Sequence, residues 1–176
     1  MAVIARAQRM AELQRLGLSA PLMRLADGEC VHEAFRASCL GPAFYVYHGA
    51  DAPAGPPLIP LWDSGDTVSG VWEKSDGLEF IEFSIEMPDE FEKIARTEQG
   101  FWATRFDFLY ECDLPDEELQ RAAASVGFRF LDRHLASREA AEERLDTFKG
   151  HRAWLRELVE SIDQEVLQRR KNSSGS

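Results

Sequence analysis

The residue whose setting most suggests covalent chemistry is Ser64, which stands between two carboxylates in the stretch Asp63–Asp66 (DSGD). A serine nucleophile is usually held in a strained strand-to-helix turn of the G-x-S-x-G type, with a base nearby. Ser64 falls instead between two apolar, β-branched segments, where Asp, Ser and Gly are common for conformational reasons alone. The stretch therefore predicts a hairpin turn rather than a catalytic serine.

Other chemistry-bearing residues do not form a recognisable pattern. Cys30, His32 and Cys39 are close in sequence, but structural zinc sites usually pair their ligands as C-x₂₋₄-C or H-x₃₋₅-H. Free cysteine is commonly buried, so core packing is the favoured interpretation of Cys30 and Cys39. Paired carboxylates of the kind used by glycosidases are too abundant here to be informative, and dinucleotide and P-loop motifs are missing from the sequence. We predict no catalytic residues, no metal site and no cofactor.

The charge of the chain is concentrated in its centre. The 176 residues carry a formal net charge of −11, and residues 58–118 contain 17 acidic against 4 basic side chains. Nucleic-acid binding depends on Lys and Arg neutralising phosphates, so DNA and RNA are poor candidate partners. No apolar run approaches the roughly 20 residues of a membrane-spanning helix, and three irregularly spaced cysteines suit a reducing compartment. The sequence predicts a cytoplasmic protein whose acidic region either is only solvated or faces a basic partner.

The central region must supply the sheet. Three apolar segments, Leu58–Trp62, Thr67–Glu73 and Leu78–Glu86, are separated by Gly/Asp/Ser turns and predict a three-strand antiparallel meander. The apolar positions of the third segment change phase between Phe80 and Ile81, which predicts either a bulge there or burial on both faces. We also expect this third segment to be the best-buried strand.

The flanking regions predict mainly helices, from the spacing of their apolar residues and their caps. Helices are predicted at residues 2–16, 30–39, 88–100, 101–111, 113–127 and 150–170; Ser137 is predicted to cap a helix over residues 138–148; strands are predicted at residues 43–49 and 128–131. The predicted fold is α+β: an antiparallel sheet with a central three-strand meander, backed by N-terminal and C-terminal helices. We predict one domain over residues 1–171, with residues 172–176 a disordered tail or a remnant of a tag.

In this order, the elements resemble the SUKH superfamily over roughly residues 40–112. The resemblance is carried by L-I-P-L-W-x-x-G-D at Leu58–Asp66, by the following strands and by the aromatic-led helix at Phe101–Tyr110. The chain lacks the Asn-Gly-Gly turn that often ends the family's first helical section, and its helices after residue 113 extend beyond the usual core. The resemblance implies an α+β fold without cofactors and a non-catalytic binder, in many members an immunity protein that blocks a bacterial toxin.

These observations leave three functional hypotheses. The first is an immunity-type protein that binds a basic partner through carboxylates on or beside the hairpins, with a tryptophan as anchor if one is exposed; its predicted contact residues are Asp63, Asp66, Glu73, Glu79, Glu82, Trp62 and Trp72. The second is a small enzyme or ligand-binding domain, which a His or Cys beside a concave apolar pocket would favour. The third is a homodimer formed through the last helix.

Overall fold

The computed structural model of the chain describes residues 3–47 and 51–174. Its combination of helices with an antiparallel sheet confirms the predicted α+β class. The described strands are β1 (Ile59–Ser64), β2 (Thr67–Lys74), β3 (Gly77–Ser84) and β4 (Glu92–Ala95); the α-helices are α1 (Arg9–Arg15), α2 (Ala20–Ala26), α3 (Glu98–Glu111), α4 (Asp116–Val126), α5 (Leu131–Ala140), α6 (Glu142–Leu145) and α7 (Phe148–Ser174). The chain divides into two compact units, Met1–Lys93 and Ile94–Ser176, and the single domain over residues 1–171 stays a prediction.

The predicted meander is confirmed, and it forms three strands of a sheet with the order β1-β2-β3-β4. β1 pairs antiparallel with β2, and β2 pairs antiparallel with β3 from Thr67 opposite Ser84 to Lys74 opposite Gly77. Both hairpin turns use glycine at positive φ, 63° at Gly65 and 132° at Gly77, a conformation that is strained for other residues. The turn residues thus account for the hairpins, as their composition predicts.

The phase change in β3 reflects burial on both faces. Phe80 and Ile81 are both fully buried, and their pairing with Val71 and Gly70 continues the regular β2–β3 register without a bulge. The expectation that β3 is the best-buried strand is wrong, because β2 has five consecutive buried residues, Val68–Trp72, whereas β3 is partly open at its start. The middle strand of the meander is the more protected one.

One face of the sheet is covered by irregular chain rather than by a helix. Val68, Trp72, Ile81 and Phe83 form a core cluster together with Val3, Ala43, Val46, Ala52 and Leu58. The predicted strand at residues 43–49 is wrong for residues 43–47, which have no regular structure, and residues 48 and 49 lie outside the described residues. The backbone amides of Phe44 and Tyr45 donate to the Asp63 carboxylate instead of to a neighbouring strand.

The irregularity of the sheet lies in β1, where the register shifts between Pro60 and Trp62. The guanidinium of Arg9, a residue only 3% exposed, donates to the main-chain carbonyls of Pro60 at 2.5 Å, Ala26 at 2.6 Å and Leu61. Burial lowers the pKa of Arg9, although nearby Tyr47 and Asp27 oppose the effect. One buried cation therefore joins α1, the end of α2 and the bulged strand.

The N-terminal half of the chain differs locally from expectation. Residues 2–16 contain a 3-10 turn at Arg6–Gln8 and then α1, so the predicted helix is only partly formed, and Met1 and Ala2 lie outside the described residues. Residues 30–39 contain only the 3-10 turn Glu33–Phe35. These helices are shorter than predicted.

Around the start of α3, the predicted helix at residues 88–100 is wrong. Residues 92–95 form β4, and α3 begins at Glu98 with the Thr97 hydroxyl accepting a hydrogen bond from the Gly100 amide. Pro88 and the acidic residues after it begin a turn, whereas Thr97 is the true helix cap. The predicted helix at residues 101–111 is confirmed as most of α3.

Within the second unit, α4 and α7 confirm their predictions. α4 ends at Val126 and is capped by Gly127, which has a φ of 67°, and the apolar stripe of α7 is buried within the single chain. The stripe is therefore covered within this chain, and a homodimer through the last helix stays a prediction. α7 continues to Ser174 and so includes part of the predicted tail, while residues 175 and 176 lie outside the described residues.

Two smaller predictions in the second unit are wrong. Residues 128–130 form no strand, and Leu131 begins α5. Ser137 lies inside α5 instead of capping a helix, and its hydroxyl accepts a hydrogen bond from the indole N–H of Trp154 at 3.0 Å.

A buried carboxylate fixes the start of α3 onto α7. Asp163 accepts hydrogen bonds from the Arg96 amide at 2.6 Å, the Thr97 amide at 3.0 Å and the Thr97 hydroxyl at 2.6 Å. A side chain at Gly100 would place its Cβ 2.3 Å from a carboxylate oxygen of Asp163. Burial raises the pKa of Asp163, and these hydrogen bonds oppose that rise.

We expect Arg9→Met to lower the free energy of unfolding by about 3 kcal/mol, because three buried carbonyls lose their donor. Arg15→Met on the same helix is the matched control; Arg15 is an exposed member of ion pairs with Glu12 and Glu73, and its loss should have a much smaller effect, because exposed ion pairs contribute little to stability. Urea unfolding of both variants measures the difference, and equal costs would show that the buried contacts of Arg9 are not what matters.

Candidate functional site

The five carboxylates predicted to bind a partner do not share one surface. Cross-strand pairing and the alternation of side chains place Glu73 and Glu82 on one face of the sheet. Asp63 and Glu79 lie on the opposite face, and Asp66 lies in the β1–β2 turn. The set is therefore split over two faces and one end of the sheet.

Glu73 forms an ion pair within the first unit. Its carboxylate accepts two hydrogen bonds from the Arg15 guanidinium, at 3.0 and 2.5 Å, and these bonds lower the pKa of Glu73. Both side chains are about half exposed, so the pair holds α1 only weakly against this face of the sheet. Much of the charge of Glu73 is already neutralised before any partner binds.

Glu79 and Glu82 also have internal partners. Glu79 pairs with Lys74 and, at 3.6 Å, with Lys93, and its side chain is only 13% exposed. Glu82 accepts a hydrogen bond from the Ser69 hydroxyl at 2.6 Å. These two carboxylates stabilise the sheet surface and are poorly placed to meet a partner directly.

Both tryptophans considered as anchors are buried. Trp62 is 1% exposed and Trp72 is 2% exposed, and the Trp72 ring packs edge-to-face on Phe91 with centroids 5.0 Å apart. An anchoring role requires an exposed ring, and neither tryptophan has one. Their observed place is the core.

Asp63 instead positions two exposed aromatic residues. Its carboxylate accepts hydrogen bonds from the backbone amides of Phe44 at 2.6 Å and Tyr45 at 3.2 Å. Phe44 is 61% exposed and Tyr45 is 62% exposed. Aromatic side chains of this kind can act as anchors when a partner buries them. Sequence reasoning missed these two residues because their aromatic character suggested a strand.

Arg6 supports the same loop from the N-terminal segment. Its guanidinium donates to the Phe44 carbonyl at 3.2 Å and lies 4.4 Å from the centre of the Tyr47 ring. The loop is thus held by a carboxylate through its amides and by a cation through its carbonyl. Neither contact uses the rings of Phe44 or Tyr45, which stay available.

Asp66 lies at this same end of the sheet, beside an acidic loop. Its carboxylate accepts a hydrogen bond from the Ser84 hydroxyl at 2.9 Å, and its carbonyl accepts one from the Ile85 amide at 2.9 Å, where the chain leaves β3. The loop that follows exposes three carboxylates and a methionine that is 54% exposed. Within the described residues, these three carboxylates form no ion pair. We call this surface the acidic end; it comprises Phe44, Tyr45, Asp66, Glu86, Met87, Asp89 and Glu90.

A second cluster of titratable groups lies in the second unit, on α3, α5 and α7. Asp107, 4% exposed, accepts a hydrogen bond from Arg138 at 2.5 Å and is 2.9 Å from Nε2 of His151. Burial raises the pKa of Asp107, while His151 and Arg138 oppose that rise. Arg138 also contacts Glu111. The arrangement has the parts of an Asp–His pair, but its carboxylate is buried and already bonded to a guanidinium, so its evident role is to join three helices.

His134 lies beside this cluster and is completely buried. Its Nε2 is 4.0 Å from Asp107, and its ring meets the Trp154 indole edge-to-face with centroids 5.5 Å apart. Burial lowers the pKa of His134 to about 4, against a smaller opposing effect of the Ala103 carbonyl. At neutral pH His134 is therefore an uncharged part of the core.

The other residues considered for metal binding or catalysis do not come together in a site within the described residues. Among residues 3–47 and 51–174, no three His, Cys, Asp or Glu side chains are grouped to hold a metal ion. The Cys30 thiol donates to the His32 carbonyl at 3.1 Å, and the three cysteines carry free thiols. The Ser64 hydroxyl donates to the Ala37 carbonyl at 3.2 Å. Within the described residues, none of the helices combines the length and the apolar character that crossing a membrane requires.

Comparisons with known protein families, with characterised proteins and with solved structures find no match to this chain. The similarity to the SUKH superfamily therefore stays a prediction.

We expect Asp63→Ala to release the loop that presents Phe44 and Tyr45 without unfolding the sheet. Loss of two hydrogen bonds to a charged acceptor should speed hydrogen exchange at both amides by roughly tenfold or more. Asp66→Ala is the control, because the Asp66 carboxylate accepts from side-chain hydroxyls rather than from these amides. Unchanged protection of both amides in Asp63→Ala would contradict a positioning role.

Acidification should weaken the fold through His134. The pKa of His134 is lowered to about 4 from 6.5, so the unfolded chain binds this proton at a higher pH and stability is lost as pH falls through that interval. Between about pH 7 and pH 5 the loss from this group is about 2 kcal/mol. Urea unfolding at both pH values should show that loss in the wild type and much less of it in His134→Gln; identical pH dependence would contradict the assignment.

Proposed function

We propose that the chain is a non-catalytic protein-binding domain that binds a basic partner through the acidic end. The observation that carries the proposal is the pair of exposed rings, Phe44 and Tyr45, held by Asp63 at the end of the sheet where the loop carboxylates form no ion pair within the described residues. Because the five predicted carboxylates do not share one face, we place the proposed contact at this end of the sheet and not on a sheet face. Of the five, Asp66 stays a contact residue, and Asp63 becomes a positioning residue.

The two kinds of residue contribute differently to binding. Aromatic anchors that become buried at the centre of an interface supply much of its affinity, so Phe44 and Tyr45 govern dissociation. Exposed carboxylates act over a Debye length of about 8 Å at physiological salt and mainly speed association with an oppositely charged surface. The high net negative charge of the chain, −11, extends that attraction.

The specific form that we propose is an immunity protein that occludes a cognate bacterial toxin in the cytoplasm. This rests on the resemblance of Leu58–Asp66 and Phe101–Tyr110 to the SUKH superfamily. The acidic end supports it, because a nuclease toxin has a basic substrate cleft that such a surface complements. The three free thiols support a reducing compartment.

The test uses the C-terminal domain of the protein encoded by the neighbouring gene as the candidate toxin. We expect Glu86→Lys, Asp89→Lys and Glu90→Lys together to lower the association rate at low salt by about tenfold or more, and to weaken its salt dependence. Phe44→Ala with Tyr45→Ala should raise the dissociation rate and cost about 2 kcal/mol or more of binding. Stopped-flow association and dissociation measure both effects.

The control carries the same change of net charge in the second unit: Glu139→Lys, Glu142→Lys and Glu143→Lys, all at exposed positions. If the two triple variants associate equally slowly, net charge rather than the acidic end is responsible. If neither the charge nor the aromatic changes affect binding, the acidic end is only a solvated surface. Failure of co-expression to protect cells from the neighbouring toxin would remove the immunity assignment while leaving the binding result intact.

A further inference from the structure

Residues 131–145, which we call the α5–α6 segment, are held on the second unit by few apolar side chains. Only Leu131 and His134 are buried among the ten residues of α5, and α6 has no buried residue. Between the two helices, Ala141 adds one small buried side chain. Segments with little buried apolar surface open more easily than the rest of a fold. The α5–α6 segment is therefore the part of this unit that we expect to open first.

The polar contacts of α5 are made by two arginines. Arg133 donates to Glu165 of α7 at 2.9 Å, and these side chains are 40% and 34% exposed, so the pair contributes little to stability. Arg138 donates to the buried carboxylate of Asp107 on α3 at 2.5 Å. The second pair is the stronger contact, and it lies beside the one buried histidine of α5.

His134 has no room for a proton while the segment is closed. It is completely buried, and its Nε2 is 4.0 Å from Asp107 of α3. The Asp107 carboxylate already accepts a hydrogen bond from Arg138 on α5 and lies 2.9 Å from Nε2 of His151 on α7. A buried cation is costly unless a carboxylate is free to pair with it. Burial accordingly lowers the pKa of His134 to about 4, and the neighbouring His151 adds to the effect.

The same helix covers the Trp154 ring of α7, which is only 3% exposed. His134 meets this ring edge-to-face with centroids 5.5 Å apart, and the Arg138 guanidinium lies 5.6 Å from the ring centre. The Ser137 hydroxyl accepts the indole N–H at 3.0 Å. Movement of α5 would remove all three contacts and expose a large aromatic surface.

From the sparse apolar contacts of the segment and the histidine at its centre, we infer that the α5–α6 segment is a pH-sensitive switch, packed on α3 and α7 at neutral pH and released in mild acid. In the released state His134 is solvated and binds a proton, and the Trp154 ring is uncovered. The switch lies in the second unit and does not depend on the function proposed for the acidic end.

Asp107 acts in the opposite sense to His134. Burial raises the pKa of Asp107, against the effects of His151 and Arg138, so acid favours the closed state through this carboxylate. Wild type and His134→Gln both carry Asp107. The difference between the two proteins therefore isolates the contribution of the histidine.

Native-state hydrogen exchange of the full chain at pH 7 and pH 5, corrected for the chemical exchange rate, measures the release. A state in which His134 regains the ordinary pKa of 6.5 gains about twentyfold over the closed state between these pH values. The opening of α5 amides should rise by about that factor more in wild type than in His134→Gln. At pH 5 these amides should also be at least about tenfold less protected than those of α3, because release is local.

His151→Gln is the matched control, since His151 is the other histidine of the cluster and contacts Asp107 from α7 rather than from α5. The acid response of the α5 amides should persist in this variant. Its loss would assign the response to His151 and overturn the inference.

Two further results would also overturn the inference. These are equal protection of α5 and α3 at pH 5, which would mean that the unit opens as a whole, and an equal acid response in wild type and His134→Gln. If His134→Gln does not fold, the wild-type pH profile decides: a rise in opening that begins near pH 6.5 supports the switch, whereas one confined below about pH 5 belongs to carboxylates and contradicts it. Failure here leaves the docking proposal untouched, because no residue of the acidic end is changed.

Discussion

The buried guanidinium of Arg9 is the contact on which the first unit depends. A β-bulge turns main-chain carbonyls out of the ladder, and buried carbonyls without donors destabilise a fold. Arg9 supplies donors to Pro60 and Leu61 at the bulge and to Ala26 at the end of α2. Gly41 closes the same junction, since its amide donates to the Leu25 carbonyl and a Cβ there would lie 2.1 Å from the Ala26 carbonyl. The course of β1 towards Asp63 follows from this junction.

In the second unit, a buried carboxylate rather than a buried guanidinium joins neighbouring elements. The Asp163 carboxylate on α7 takes two main-chain amides and the Thr97 hydroxyl at the start of α3, where the helix dipole favours an anion. In both units a buried ion is stabilised by main-chain dipoles from a neighbouring segment. Such contacts are directional and short, so they fix the relative position of elements more strictly than apolar packing does.

The features that could be predicted from the sequence are those encoded within a few residues. The meander follows from alternation and from glycine turns, and α4 follows from its acidic start and Gly127. The features that could not be predicted depend on distant partners. The segment at residues 43–47 has the composition of a strand, but its amides are taken by Asp63, 18 and 19 residues away in sequence.

The candidate site shows the same division. Acidity in the central region is the reason for proposing a basic partner, but it does not reveal which carboxylates already have partners within the chain. Glu73 and Glu79 are paired with Arg15 and Lys74, and the sequence separation of 58 residues in the first pair hides it from local analysis. Exposure of Phe44 likewise depends on the fold around it, because an aromatic residue beside β-branched neighbours is equally typical of a buried position.

The way in which Asp63 holds the aromatic loop separates scaffold from recognition. The carboxylate binds main-chain amides, which every residue except proline possesses, so it would hold the same backbone whatever side chains stood at positions 44 and 45. If the surface binds the partner that we propose, substitutions at these two positions change what it recognises without repacking the core. A lineage that must follow a changing partner could diversify two adjacent codons while a single aspartate preserves the geometry of presentation.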